Sequence, residues 1–233
     1  MIINTVIGIA TLNQYAECVP YFIRAWKAYF PDITMRVVLV ANAIPRSFEP
    51  YRNCIHLIPL SQLPPTISRE DAARQLRYLY PPYYHSLSPR VQQGLTDTVL
   101  VSNITMIPRQ SEPFYKAASL YDESIFLQML DANAPENPDD PFPPRYTIAT
   151  TETWLRLYNH TEPWVWSDVA QRFQTSFNTV LLQSFLYPNE IRVVGSGRID
   201  YDPGVSDYTI QLPVAAYYVE MESMIQNQLN KIQ

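Results

Sequence analysis

Glycine is scarce in this chain, five residues in 233. A loop that cradles phosphates with bare backbone needs several glycines close together, and no G-x-G-x-x-G or P-loop is present. The strand-to-helix elbow of serine hydrolases is missing too. Charge is also thin: Asp, Glu, Lys and Arg make up 17% of the residues, and the net charge is −5. With no cluster of Lys and Arg, binding to a nucleic-acid backbone is excluded as a function. The two cysteines, Cys18 and Cys54, stand far apart and match no zinc spacing. They read as free, buried thiols in a reducing compartment. No apolar run approaches the ~18 residues of a membrane helix, so no transmembrane segment is expected. The opening MIINTVIGIATLN lacks the basic start and small-residue cleavage site of a secretion signal. The expectation is a soluble cytoplasmic protein. Asn103-Ile104-Thr105 and Asn159-His160-Thr161 match the N-glycosylation pattern, which that compartment leaves unused. His56, His85 and His160 sit in no catalytic context and read as surface or internally satisfied histidines.

What the chain has is apolar content, 47% of its residues, enough for one sizeable core. Residues 2–10, IINTVIGIA, read as a buried first strand. In YAECVPYFIRAWKAYF the residues Val19, Phe22, Ile23, Trp26 and Phe30 recur at helical spacing, and Pro31-Asp32 stop the helix. Residues 35–45 carry a second strand running into a loop, and 55–60 a short third one. Helices between fully apolar strands predict a mostly parallel sheet covered on both faces, the α/β class. A second helix spans 69–80, with Ser68 as its N-cap and Pro81-Pro82 as its end. A strand follows over 98–108, TVLVSNITMIP. Residues 131–145, rich in Pro and Asp, are a loop insertion in a single domain spanning 1–233. Strand-like RYTIAT, a helix over 151–159, a helix near 168–186, a strand over 191–194 and a terminal helix over 215–232 complete the reading.

Several segments, in order along nearly the whole chain, resemble the small virus-encoded GT-A glycosyltransferases of the chlorella-virus type. The opening strand, loop and Trp-bearing helix (VIGIATLNQYAECVPYFIRAW) are similar to that family's start. ARQLRYLYPPYY resembles its Q-x-x-R-x-x-x-P helix, with Gln75 and Arg77 at the shared polar positions. VLVSNITMIP resembles its strand ending in Asp-x-Asp-Met-x-Pro, WVWSD its W-x-x-D segment, and GRID its Arg-Ile-Asp segment. The resemblance implies a GT-A, Rossmann-like fold with a mixed sheet. It also implies transfer of a sugar from a nucleoside-diphosphate sugar, UDP- or GDP-linked, to a glycan acceptor, in a host cytoplasm if the source is viral.

In such enzymes the Asp-x-Asp carboxylates hold Mn²⁺ or Mg²⁺, hard cations that neutralise the departing diphosphate. This chain departs from the pattern: Asn103 and Thr105 replace the two acids. The region matching a late histidine ligand, SDYTIQLP, has none, and Gln211 is the candidate for that position. The expectation is therefore no metal bound in the family's manner, with cationic side chains stabilising the leaving group instead. Arg77, Arg109 and Arg198 are the candidates. Asp200-Tyr201-Asp202 is a literal Asp-x-Asp, of which the family keeps only Asp200. The resemblance puts a catalytic acid at Asp168, fit to deprotonate the acceptor hydroxyl, although Ser167 or Asp168 would equally cap the helix that follows. Trp164 and Trp166 beside it offer faces for an acceptor sugar, or core packing. Ala10, Thr11 and Asn13 lie at the strand end where open α/β sheets bind nucleotides. The rival expectation is a catalytically inactive GT-A-like protein that binds nucleotide or glycan, or has a structural role.

Overall fold

The computed structural model describes residues 1–12, 16–63, 65, 67–104, 106–108, 110–123, 126–129, 146–158, 191–194 and 209–211, with single positions at 223, 226, 227 and 230. The Pro/Asp-rich segment 131–145 and the expected helix near 168–186 lie outside them. The described strands are β1 (Thr5–Thr11), β2 (Thr34–Val40), β3 (Ile55–Ile58), β4 (Thr98–Asn103), β5 (Met106–Pro108), β6 (Phe126–Met129), β7 (Tyr146–Thr150), β8 (Ile191–Val194) and β9 (Thr209–Gln211). The helices are α1 (Cys18–Tyr29), α2 (Arg69–Leu87), α3 (Pro89–Gln92), α4 (Glu112–Ser119) and α5 (Thr151–Tyr158). Seven strands form one sheet in the order β3-β2-β1-β4-β7-β6-β8, and β5 pairs with β9 in a separate two-stranded ribbon. β3, β2, β1 and β4 are mutually parallel, while β7 runs antiparallel to both its neighbours. The α/β class and the mixed, mostly parallel sheet flanked by helices are thus as the apolar strands imply.

Every residue of β1 is buried, because it has a parallel neighbour on each side and a helix over each face. Its even positions, Val6, Gly8 and Ala10, face α1. There Val19, Phe22, Ile23 and Trp26 join Val37, Leu39, Leu100 and Ile104 in one core. Trp26 anchors an aromatic cluster, its ring 5.3 Å from Phe114 and 5.1 Å from Phe30. The odd positions Ile7 and Ile9 face α2, where Leu76, Leu79, Tyr80 and Tyr84 pack with Val38, Val99 and Trp154 of α5.

Several sequence expectations are corrected. The first strand begins at Thr5 rather than residue 2, and Ile2 is 72% exposed. It also runs on through Thr11, one residue past the expected end. The Pro81-Pro82 pair does not end α2; the helix continues to Leu87 with both prolines inside it. Each proline removes only its own backbone donor, toward the carbonyls of Arg77 and Tyr78. Tertiary contacts hold the second half: His56 Nδ1 and Tyr80 Oη share a 2.8 Å hydrogen bond, and His85 Nδ1 and Thr151 Oγ1 one of 3.0 Å. Both histidines are satisfied internally, as expected; His160 lies outside the described residues. Ser68 does occupy the N-cap position, its carbonyl accepting the first helical bond from Ala72 N–H at 2.9 Å. The expected strand over 98–108 is two: the chain leaves the main sheet after Asn103. Both cysteines are free, but Cys54 is only half-buried. β6, α3, α4 and β9 are elements that periodicity did not reveal. At the carboxyl terminus Ser223, Gln226, Asn227 and Asn230 are helical and exposed, the polar side of the expected terminal helix.

At the opposite end of the sheet from the strand carboxyl termini, the carboxylate of Asp97 is buried, 1% exposed. It accepts hydrogen bonds from Ser88 Oγ at 2.5 Å and from Thr5 Oγ1 at 3.0 and 3.2 Å. Its backbone carbonyl accepts from Thr151 N–H at 2.9 Å. One residue thus ties β1, the α2–α3 junction, β4 and α5 together.

Two outcomes follow in chemical denaturation. A Cβ on Gly8 would stand 2.6 Å from the Phe22 ring, which has no room to retreat. Gly8→Ala should cost about 1–3 kcal/mol through overpacking. Asp97→Ala orphans the two buried hydroxyls and should cost about 1–3 kcal/mol for each.

Candidate functional site at the carboxyl edge of the sheet

The chain runs from β1 outward to β2 and β3, then returns to place β4 on the other side of β1. The gap between β1 and β4 is therefore the switch point of the sheet, and ligands of open α/β sheets bind outside the carboxyl ends there. Ile9 is in register with Asn103, so the end of β4 stands beside the last residues of β1, Ala10 and Thr11. Immediately beyond, β5 peels away and pairs antiparallel with β9, with Met106 opposite Gln211. The backbone of Gln211 is thereby brought beside the turn that follows Asn103, although 108 residues separate the two in sequence (211 − 103).

The sequence-derived candidates fare differently. Ala10 is 2% exposed, and its side chain belongs to the core under α1, so at this edge it offers backbone only. Thr11, 6% exposed, is the final residue of β1 and faces the α2 side. Gln75 lies on the stripe of α2 that faces the sheet, between Ala72 and Leu79. Its Oε1 is buried with no hydrogen-bond partner among the described residues, on the helix that covers the switch point. Arg77, two residues further on, is about 200° around the helix. The two polar positions of α2 therefore do not share a face. Asn103 is the last residue of β4. Asn13, Thr105, Arg109, Trp164, Trp166, Asp168, Arg198 and Asp200 lie outside the described residues.

Next to the switch point a cavity of about 370 Å³ opens at the ends of β1, β2 and β3. It is lined by Leu12, Ala41–Pro45, Leu60 and Arg69. Asn42, which follows β2, and Arg69, the first residue of α2, are its polar groups. Sequence reading missed both. The available signal was positional: each stands directly at the carboxyl end of a parallel strand or at the start of the helix returning over it, and the strand-end rule was applied to the first strand alone.

The donor chemistry of the Asp-x-Asp position does not suit a divalent cation. Asn103, Thr105 and Gln211 bring neutral oxygens, whereas Mg²⁺ and Mn²⁺ sites rely on carboxylates. Among the described residues no three His, Cys, Asp or Glu side chains gather where a metal would need them. Among the described residues, Arg69 is the cation that lines the cavity at this edge.

His56 of β3, which shares a hydrogen bond with Tyr80, is one of the perturbed titratable groups under α2. Burial, and then the Arg36 guanidinium, hold His56 below its ordinary value of 6.5. The folded state therefore prefers neutral His56, whereas the unfolded chain takes up a proton as pH falls below 6.5. Stability should be complete above that pH and decline below it, until the lowered folded value is passed. Denaturation midpoints at pH 7.5 and 5.0 should show this drop, and His56→Gln should shrink it.

No protein-family model matches the sequence, and no characterised protein matches it. Among solved structures, the chain is similar to galactosyltransferase LgtC, with 13% identity over 81% of this chain and 72% of that one, at a TM-score of 0.48. It is similar to the glycosyltransferase GlyE of Streptococcus pneumoniae TIGR4, with 12% identity over 82% of this chain and 45% of that one, at 0.48. A third likeness is 4-diphosphocytidyl-2C-methyl-D-erythritol synthase from Anaerococcus prevotii DSM 20548, with 13% identity over 96% of both chains, at 0.49. No described helix is long and apolar enough to cross a membrane.

Proposed function

We propose that the chain transfers a sugar from a nucleoside-diphosphate sugar to a glycan acceptor in the cytoplasm, without an Asp-x-Asp-held metal. The observation that carries this reading is the register Ile9–Asn103, which puts the end of β4 beside the ends of β1 at the switch point, where the resemblance expects the Asp-x-Asp segment. The pairing of Met106 with Gln211 supports it, since it brings the backbone of Gln211 beside the end of β4. The motifs shared with small virus-encoded GT-A transferases supply the chemistry.

In this reading the acceptor hydroxyl attacks the anomeric carbon as the bond from that carbon to the diphosphate oxygen breaks. Asp168 takes the hydroxyl proton, and its carboxylate is suited to that role while ionised. The departing diphosphate carries the developing charge. Arginines at the crevice, with Arg109 and Arg198 as candidates, meet it with fixed positive charge, whereas Arg77 lies on another face of α2. Asn103 and Thr105 contribute neutral hydrogen bonds, Gln75 an amide oxygen, and Trp164 and Trp166 an apolar face for the acceptor ring. Loss of both Asp-x-Asp acids also favours a second reading, a non-catalytic nucleotide binder on the same crevice.

Calorimetry with UDP and GDP, with and without Mn²⁺, together with an assay for hydrolysis of the sugar nucleotide, separates these. Nucleotide binding insensitive to Mn²⁺ is expected. Asp168→Asn should lower turnover by about 100-fold or more while leaving nucleotide affinity and fold unchanged. Binding without turnover supports the second reading. Affinity that rises steeply with Mn²⁺ overturns the metal-free site.

A further inference from the structure

A second cavity, of about 270 Å³, opens at the amino end of the sheet, away from the crevice and independent of the reading above. Met1, Ile2, Asn4, Arg90, Thr96 and Glu123 are among the residues that line it. Its floor is fixed by the first strand and the fourth. Asn4 N–H donates to the Thr98 carbonyl at 2.9 Å, and the Asn4 side-chain oxygen accepts from Thr98 N–H at 3.1 Å. The two charged side chains are both held by the threonine between them. Arg90 Nε donates to the Thr96 carbonyl at 3.0 Å, and Thr96 Oγ1 donates to the Glu123 carboxylate at 3.3 Å. The Glu123 backbone is anchored in turn, its carbonyl accepting from the Thr150 and Thr153 hydroxyls at 3.3 and 3.1 Å.

A guanidinium and a carboxylate that border one cavity would ordinarily close on each other. Here they do not: among the described residues neither Arg90 nor Glu123 forms an ion pair. Thr96 engages Nε and one carboxylate oxygen, which leaves the two Nη groups and the other oxygen for a ligand. The third charge at the rim, the Met1 amino group, is already spent on the carbonyls of Ala118 and Tyr121 at 2.8 and 2.6 Å. Such a site selects by charge. An anion drawn to Arg90 also meets the like charge of Glu123, and a cation meets the reverse difficulty. A molecule carrying both signs makes a charge-assisted hydrogen bond at each end. The planar guanidinium matches the two oxygens of a carboxylate, and Glu123 accepts from an ammonium. Beside them Ile2, 72% exposed, offers apolar surface that an aliphatic side chain would cover. We propose that this cavity binds a small aliphatic α-amino acid, its carboxylate on Arg90 and its ammonium on Glu123. The volume, at the small end for ligand pockets, suits a molecule of that size.

The test is calorimetric titration of the full chain with L-valine and with the two analogues that each lack one charge, 3-methylbutanoate and 2-methylpropylamine. Glucose serves as a neutral, hydroxyl-rich comparison. Valine should bind in the millimolar range, at least about tenfold more tightly than either analogue, and should raise the thermal unfolding midpoint. Arg90→Gln should weaken valine about tenfold, and Arg90→Lys, which keeps the charge, should retain part of the affinity. Glu123→Gln should weaken valine yet strengthen 3-methylbutanoate, whose carboxylate then faces no like charge. A variant that merely folds less well would weaken both. Absence of saturable valine binding overturns the proposal. So does glucose bound as tightly as valine, or valine affinity unchanged in Arg90→Gln and Glu123→Gln.

Discussion

The structure depends on β1 having no free side. A strand with parallel neighbours at both edges and a helix over each face is buried at every position, so each of its seven residues is constrained. Gly8 is there because Phe22 of α1 occupies the space a side chain would fill. Thr5, the one polar residue at its beginning, is tolerated because Asp97 takes its hydroxyl proton into a hydrogen bond. The end of the strand inherits that rigidity. Thr11 and the backbone of Ala10 are held at the switch point by everything packed below them, the arrangement a recognition edge requires.

The two edges of the sheet carry different chemistry. At the amino edge many polar groups are spent on one another: Ser88 and Thr5 on Asp97, His85 on Thr151, Thr150 on Thr153. The pairing is incomplete, since Tyr84 Oη in the second half of α2 and Arg36 Nε are buried with no hydrogen-bond partner among the described residues. Gln75 Oε1, in the first half of α2, is open in the same way, and Asn42 and Arg69 line the cavity at the carboxyl edge.

Much of this was legible in the sequence where one physical signal dominated. The apolar runs at 5–11, 34–40 and 98–103 read as buried parallel strands because both faces of the sheet are covered. The stripe of Val19, Phe22, Ile23 and Trp26 marked α1 for the same reason. What failed were places where tertiary context overruled a local rule. Pro81 and Pro82 read as a helix end, yet burial of Tyr80 and Tyr84 and the hydrogen bonds from His56 and His85 carry the helix past them. The stretch 98–108 read as one strand because its apolar character continues. Its division at Asn103 depends on β9, a partner roughly a hundred residues away that no local window contains. The position of Ala10 and Thr11 at the end of β1 was legible through the carboxyl-end rule. Asn42 and Arg69 were not, since only the three-dimensional order of strands brings them beside Leu12.

The β5–β9 ribbon also has a bearing on how the molecule comes into being. β1 through β4 pair within the first 103 residues, so most of the parallel sheet is available to a chain still being synthesised. The ribbon that closes the crevice closes a loop of about a hundred residues and waits for Gln211; contacts of such high sequence separation form late and slowly. Assembly and competence are therefore separated in time. A nascent chain acquires its parallel scaffold within its first 103 residues, well before the β5–β9 ribbon, which waits for residue 211.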